Sequence, residues 1–206
     1  MKRHIITLLL ALFCCIGQAD NRSIGTWFVA MPDSLLPLLS VNDRKDLLDL
    51  HNAGRQSGIS GHWGENVSIE SIGDDQLTLK LTPSSSLQIA TLRTADTIRV
   101  IAVIHTVKLP AADSRICFYD TNWNRLTNPV FSTPQVRDFI TGNKKVQSSI
   151  AHLIGEIFPC RYEIRNGYLY ATQSLQDFLP RETYSEIKES LKSEIPYKWN
   201  GKSFKK

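Results

Sequence analysis

The run from Val100 to Val107 is the tightest constraint on the fold of this 206-residue chain: Val100, Ile101, Ala102, Val103, Ile104 and Val107 load both faces of one extended segment with apolar side chains. Successive strand side chains point to opposite sides, so such a strand must be covered twice. It belongs in the middle of a sheet or between layers. Its neighbours read as antiparallel. Val67 and Ile69 alternate with Ser68 and Glu70, Gly73-Asp74-Asp75 turns the chain, and Leu77-Thr78-Leu79-Lys80-Leu81-Thr82 alternates strictly. Pro83 to Ser86 break the pattern before a third strand over 87–92. The fourth strand runs over 96–108, a turn follows from Leu109 to Asp113, and Ile116 to Tyr119 form a fifth.

Helical signals flank this region. Pro32-Asp33-Ser34 opens a short first helix that contains Pro37. Asn42 caps a second helix, with Asp43 and Asp46 in its first turn and Gly54 able to end it in the left-handed conformation. The Gly- and Ser-rich stretch 55–65 reads as a loop. Further on, Thr133-Pro134 starts a short helix ending near Gly142. Val146, Ile150, Leu153, Ile154 and Ile157 share one face of the next, which Pro159 ends. A helix from Pro180 to Glu194 carries Tyr184, Ile187 and Leu191 on its apolar side, closed by Ile195-Pro196. Two Asn-Gly pairs mark hairpins: Asn166-Gly167 sets Ile164 opposite Leu169 and Tyr162 opposite Ala171, and Asn200-Gly201 sets Tyr197 opposite Phe204. The segregation predicts an α+β fold: an N-terminal helical pair plus an antiparallel sheet, then helices and two β-hairpins. Asn128-Pro129 marks the boundary between a subdomain over 20–128 and a second over 129–206 packed on it.

The first nineteen residues carry an address. A basic head (Lys2, Arg3), an apolar run over 5–16 broken only by Thr7, and small residues at Gly17 and Ala19 make a secretory signal peptide cleaved near Ala19-Asp20. Twelve helical residues reach roughly 18 Å, short of the ~30 Å hydrocarbon core. Cys14 and Cys15 follow Phe13 rather than a small residue, so a lipoprotein signal fits worse. Cleavage takes the formal charge from +4 to +2. Basic and acidic residues are interspersed, with no basic stripe for nucleic acid. The expected location is periplasmic or secreted, with no integral membrane segment after cleavage.

Chemical motifs are sparse. Cys117 and Cys160 are the only cysteines left after cleavage. An oxidising compartment invites a bridge closing a loop of about 43 residues, for up to ~4 kcal/mol by chain entropy, and a buried free thiol is equally ordinary. Asp120-Thr121-Asn122-Trp123-Asn124 opens like a calcium loop, but Arg125 stands where the sharp turn needs Gly and Phe131 where the bidentate Glu belongs. A turn explains it better. His105 and His152 read as core or edge residues. No nucleophile, general base or metal set is legible, so the catalytic, cofactor and metal assignments are all none. The candidate binding surface is His62, Trp63, Trp123 and Trp199, aromatic and imidazole groups in or beside turns. Equally, the aromatics can fold down as lids on the sheet.

The runs Met31-Pro32-Asp33-Ser34-Leu35-Leu36-Pro37 and Asn42 to Asp49, the strand Asp75 to Pro83, and the end Tyr197-Lys198-Trp199-Asn200-Gly201-Lys202 resemble a family of exported Bacteroidales proteins known only as a domain of unknown function. The resemblance spans nearly the whole chain after the signal and implies a Gram-negative envelope location, with no activity to carry over. More loosely, the order of elements is similar to small inhibitor and peptidase-propeptide-like envelope modules. The resulting expectation is an exported, non-catalytic binding or protein-interaction module with an unknown protein or envelope ligand as partner. One alternative is an envelope hydrolase, which needs a cleft joining His62 or His51 to a carboxylate. The other is a small-ligand or lipid carrier, which needs an apolar cavity behind the sheet.

Overall fold

The computed structural model describes residues 22–206 apart from positions 56, 57, 97, 129 and 157. The signal segment lies outside the described residues.

The helical pair is present, with its first member displaced. Helix α1 spans Ile24–Ala30, capped by the Ser23 hydroxyl, which accepts from the Thr26 amide. Ile24, Trp27 and Phe28 form its buried face. The segment expected to be the first helix is instead a chain of single turns, with Leu35 N donating to Pro32 O and Leu36 N to Asp33 O. Pro37 explains the difference: it lacks an amide and pushes Leu36 away from helical angles. Helix α2 spans Val41–Asn52. Ser40, rather than Asn42, caps it: the Ser40 hydroxyl accepts from Asp43 N and the Asp43 carboxylate accepts from Ser40 N. Gly54 ends it at φ +69°.

Arg44 ties the pair together. Its side chain is fully buried, and its guanidinium donates to the carbonyls of Phe28, Met31 and Ser40 and pairs with Asp33. A buried cation is tolerated only when its donors are met. Here carbonyls at the end of α1 and around the start of α2 meet them.

Strands β1 (Ile59–Ser60), β2 (Asn66–Ile72), β3 (Gln76–Thr82), β4 (Ser85–Arg93), β5 (Arg99–Lys108) and β6 (Ala112–Tyr119) form a six-stranded antiparallel meander in chain order. The short β1 falls inside the expected loop, and β6 begins earlier than the sequence pattern suggests. The two-sided strand β5 behaves as required. Ile101 and Val103 join Leu77, Leu79, Leu87 and Ile89 in a core under the helical pair, while Ala102 and Ile104 join Ala90, Leu92 and Phe118 in a second core on the other side.

That second core is closed by a four-stranded antiparallel sheet, β7 (Cys160–Arg165), β8 (Tyr168–Gln173), β9 (Glu194–Trp199) and β10 (Phe204–Lys205), in the order β10-β9-β8-β7. Tyr162, Ile164, Leu169, Ala171, Ile195, Tyr197 and Phe204 face inward. Among the described residues the edge strand β7 has no neighbouring strand on one side. Side chains of the first sheet take that role: Cys160 N donates to Asp113, Tyr162 N to Ser114, and Ile164 exchanges two bonds with the Gln88 amide. Buried backbone groups must be paired, and this ladder pins one sheet onto the other.

The first Asn-Gly hairpin has the expected register, with Asn166 at φ +52° and Gly167 at φ +75°. The second differs. Trp199, not Tyr197, pairs with Phe204, because Asn200 accepts from both Lys202 N and Ser203 N and makes a four-residue loop. The shift of two preserves the inward face. The predicted helix over 180–194 is shorter: α5 (Arg181–Ile187), which follows α3 (Val136–Phe139) and α4 (Lys144–Ile154), ends at Ile187. A 3-10 turn over Lys188–Ser190 leads to Leu191, which bridges Ile140. Thr141 N to Ser190 O and Lys192 N to Phe139 O capture this segment as an extended chain, so Ile195 and Pro196 enter β9 instead of closing a helix. Val136, Ile140, Ile150, Ile154, Leu175 and Ile187 form a third, smaller core among these helices.

Candidate functional site

A large concavity lies where the helical pair overhangs one end of the six-stranded sheet. It has a volume of about 1130 Å³ and is walled by α1, by the solvent side of α2, by the β2–β3 turn and by the facing ends of β4 and β5. Its lining is divided by chemistry. Ile24, Val29, Met31, Val41, Leu48 and Ile72 supply aliphatic wall; Arg22, Lys45, Arg93 and Arg99 supply positive charge; Asp74 and Asp75 supply negative charge. Gly25 lets the helices meet closely, since a Cβ there would stand 3.2 Å from Leu48.

The two strand arginines sit directly opposite each other, Arg93 on β4 and Arg99 on β5. Cross-strand partners share a face, and like charges so placed repel. The structure answers one of them. Arg99 is only 7% exposed, and its Nη1 lies 2.7 Å from Asp75 Oδ1 and 2.9 Å from Thr91 Oγ1. Thr91 in turn donates to Asp75 at 3.1 Å, and Thr91 N bonds Asp75 O. This triangle fixes the β2–β3 turn as a wall of the cleft. Arg93 and Lys45 have no ion-pair partner among the described residues.

The residues singled out from sequence are not brought together. His62 is exposed, and the Asp43 carboxylate is engaged at the start of α2, where the Ser40 hydroxyl and backbone hold its pKa below the usual range. Trp63 is 72% exposed on the loop before β2. Trp123 folds down on Tyr119, with ring centres 5.6 Å apart. Trp199 lies against Phe204 at 5.1 Å, and its Nε1 donates to Arg93 O at 2.5 Å. Trp123 and Trp199 are thus lids rather than a shared exposed surface. Among the described residues that line the cleft there is no histidine. A smaller cleft of about 730 Å³ between α3 and α4 includes His152, Arg137 and Glu156, and His152 is an exposed residue rather than a core one. His105 is also accessible to solvent, opposite Arg115; partial desolvation by the surrounding strands and then that arginine lower its pKa.

Cys117 and Cys160 carry free thiols. They belong to different cores, Cys117 under the helical pair and Cys160 between the sheets, so the bridge left open by the sequence is not formed. Asp120 spends its acceptors within its own turn, on Asn122 N, Asn124 N and Asn124 Nδ2, and these bonds hold its pKa below the usual range. No group of three or more metal-ligating side chains occurs among the described residues.

Sequence reasoning passed over the cleft because its residues come from five separate elements. One local signal existed: Arg93 and Arg99 flank the tip 94–98 symmetrically, which a hairpin register converts into a facing pair.

A solved domain of an uncharacterized protein from Porphyromonas gingivalis W83 is similar in structure, with a TM-score of 0.73 and 25% identity over 87% of this chain and 95% of that one. No curated protein matches the sequence. Among the described residues no helix is long and apolar enough to cross a membrane. The family profile described as "Protein of unknown function (DUF3256)" matches residues 17–204, nearly the whole of the sequence, in keeping with the resemblance noted above, and the chain belongs to that family.

Proposed function

We propose that the protein is an exported, non-catalytic binding module of the periplasm or cell exterior, and that the cleft between the helical pair and the β2–β3 turn takes its ligand. One observation carries this reading: a concavity of about 1130 Å³ with aliphatic and charged walls, held by a buried arginine. Small-ligand sites run roughly 300–1,000 Å³ and combine apolar lining with a few fixed polar groups. The basic head, apolar run and small-residue site of the first nineteen residues support export, and the family match starts beside the expected cleavage point. The cleft holds carboxylates but neither His62 nor His51, so it does not itself supply the histidine–carboxylate pair expected of an envelope hydrolase. A buried apolar cluster lies between the two sheets, and the open concavity lies on the helix side of the first sheet.

The test uses the exported protein. Its intact mass is expected to correspond to a chain starting at Asp20; full-length protein dissolved in the cytosol overturns the export reading. Hydrogen exchange in envelope extract is expected to slow in α1 and in the β2–β3 turn. Ala30→Trp, an exposed position lining the cleft, is expected to abolish that slowing. Unchanged exchange in the wild type overturns the cleft as the site.

A further inference from the structure

We infer that the cleft binds an anionic amphiphile: a carboxylate or phosphate head at Arg93, and an aliphatic body along α1 and α2. This rests on the cleft being the ligand site. The charge argument starts from the facing arginines. Arg99 has its counter-ion in Asp75, while Arg93, exposed on the same face, has none among the described residues. An arginine kept opposite another arginine carries a standing repulsion that a bound anion removes. A guanidinium also matches the geometry of carboxylate and phosphate oxygens.

Arg93 is held in place at its backbone. Its carbonyl accepts from Trp199 Nε1, and Gly201, at φ +89°, faces the hairpin tip, where a Cβ would stand 3.4 Å from Ala95 N. The tip is closed by Thr94 N and Oγ1, both donating to Ile98 O at 2.9 Å. The second sheet therefore buttresses the strand end that presents the charge. Such support leaves less ordering to be done on binding.

The apolar half of the argument comes from the opposite wall. Val41 opens α2 and remains 40% exposed at the cleft surface, beside the aliphatic Leu48 and Ile72. A free inorganic anion leaves that wall wet. A neutral lipid leaves Arg93 unanswered. An anion with an aliphatic body satisfies both, and Lys45 on α2 adds a second unpaired cation.

The experiment measures binding of decanoate, decyl phosphate, decanol and inorganic phosphate to the exported protein by calorimetry, below micelle-forming concentrations. Decanoate or decyl phosphate is expected to bind one to one and at least tenfold more tightly than decanol, and the tighter head identifies the natural source as carboxylate or phosphate. Arg93→Glu is expected to weaken that binding at least tenfold with a melting temperature no lower than that of the wild type, because the side chain is exposed and the change removes its repulsion with Arg99; Lys45→Glu is expected to act in the same direction. Decanol binding as tightly as decanoate, or indifference to Arg93→Glu, overturns the anionic head while leaving the cleft as a site. Inorganic phosphate binding as tightly as decyl phosphate overturns the aliphatic body. Absence of binding by every decyl compound overturns the proposal. Exchange slowing by envelope extract in the same protein would then keep the broader reading of the cleft intact.

Discussion

Cys160 shows how strongly position changes a side chain. Burial between the sheets pushes its thiol up to about 12, against an ordinary value near 8.5. In the folded chain it stays neutral while the unfolded chain ionises first, so stability is expected to fall as pH rises from about 8.5 toward 12. Tyr162 and Tyr197, also raised by burial, act with the same sign above about pH 10. Iodoacetamide at pH 8 is expected to alkylate native protein at Cys117, which is half-buried, and Cys160 only in urea. Mass spectrometry of the peptides reads this directly; native labelling at Cys160, or a bridge between the two, contradicts it.

Among the elements, α2 is specified locally and its cap is measurable. Ser40→Ala is expected to cost about 1 kcal/mol. Asp43 is held below the usual carboxylate range, chiefly by the Ser40 hydroxyl and backbone. A depressed folded pKa gives stability that is present above the unfolded value of about 3.9 and lost as pH falls through the folded one. The difference in urea midpoint between wild type and Ser40→Ala is therefore expected to be full at pH 7 and to narrow at pH 3. An equal difference at both pH values contradicts the reciprocal bonding. The two Asn-Gly loops show the limit of local reasoning. The same dipeptide makes a two-residue turn at 166–167 and a four-residue loop at 200–203, because Asn200 turns its side chain onto the amides ahead of it.

The whole molecule is joined by a polar ladder between its two sheets. Gln88 is 9% exposed and meets both backbone groups of Ile164. We propose that the segments before and after residue 129 unfold together, since the inter-sheet core draws on both. Gln88→Ala leaves an orphaned amide and carbonyl, at roughly 1–3 kcal/mol each. A lower urea midpoint with one transition, the same by tryptophan fluorescence and by circular dichroism, is expected; two separated transitions count against joint unfolding. What could be read along the chain was whatever depends on neighbours in sequence. Alternation in β3, the two-sided character of β5 and the positive-φ demand at Gly54 and Gly167 all follow from residues a few positions apart. Helix α1 is equally local in its Ile24, Trp27 and Phe28 spacing, but the turn and capping signals of the Pro32–Pro37 segment are the stronger pattern in that part of the sequence. Only the tertiary structure decided that α5 stops at Ile187, that Trp123 and Trp199 lie down, that the two cysteines fall in separate cores, and that Arg93, Arg99, Lys45 and Asp75 meet around one cleft. These outcomes turn on burial and on charges brought together from distant parts of the chain, and neither exists until the sheets and helices have packed.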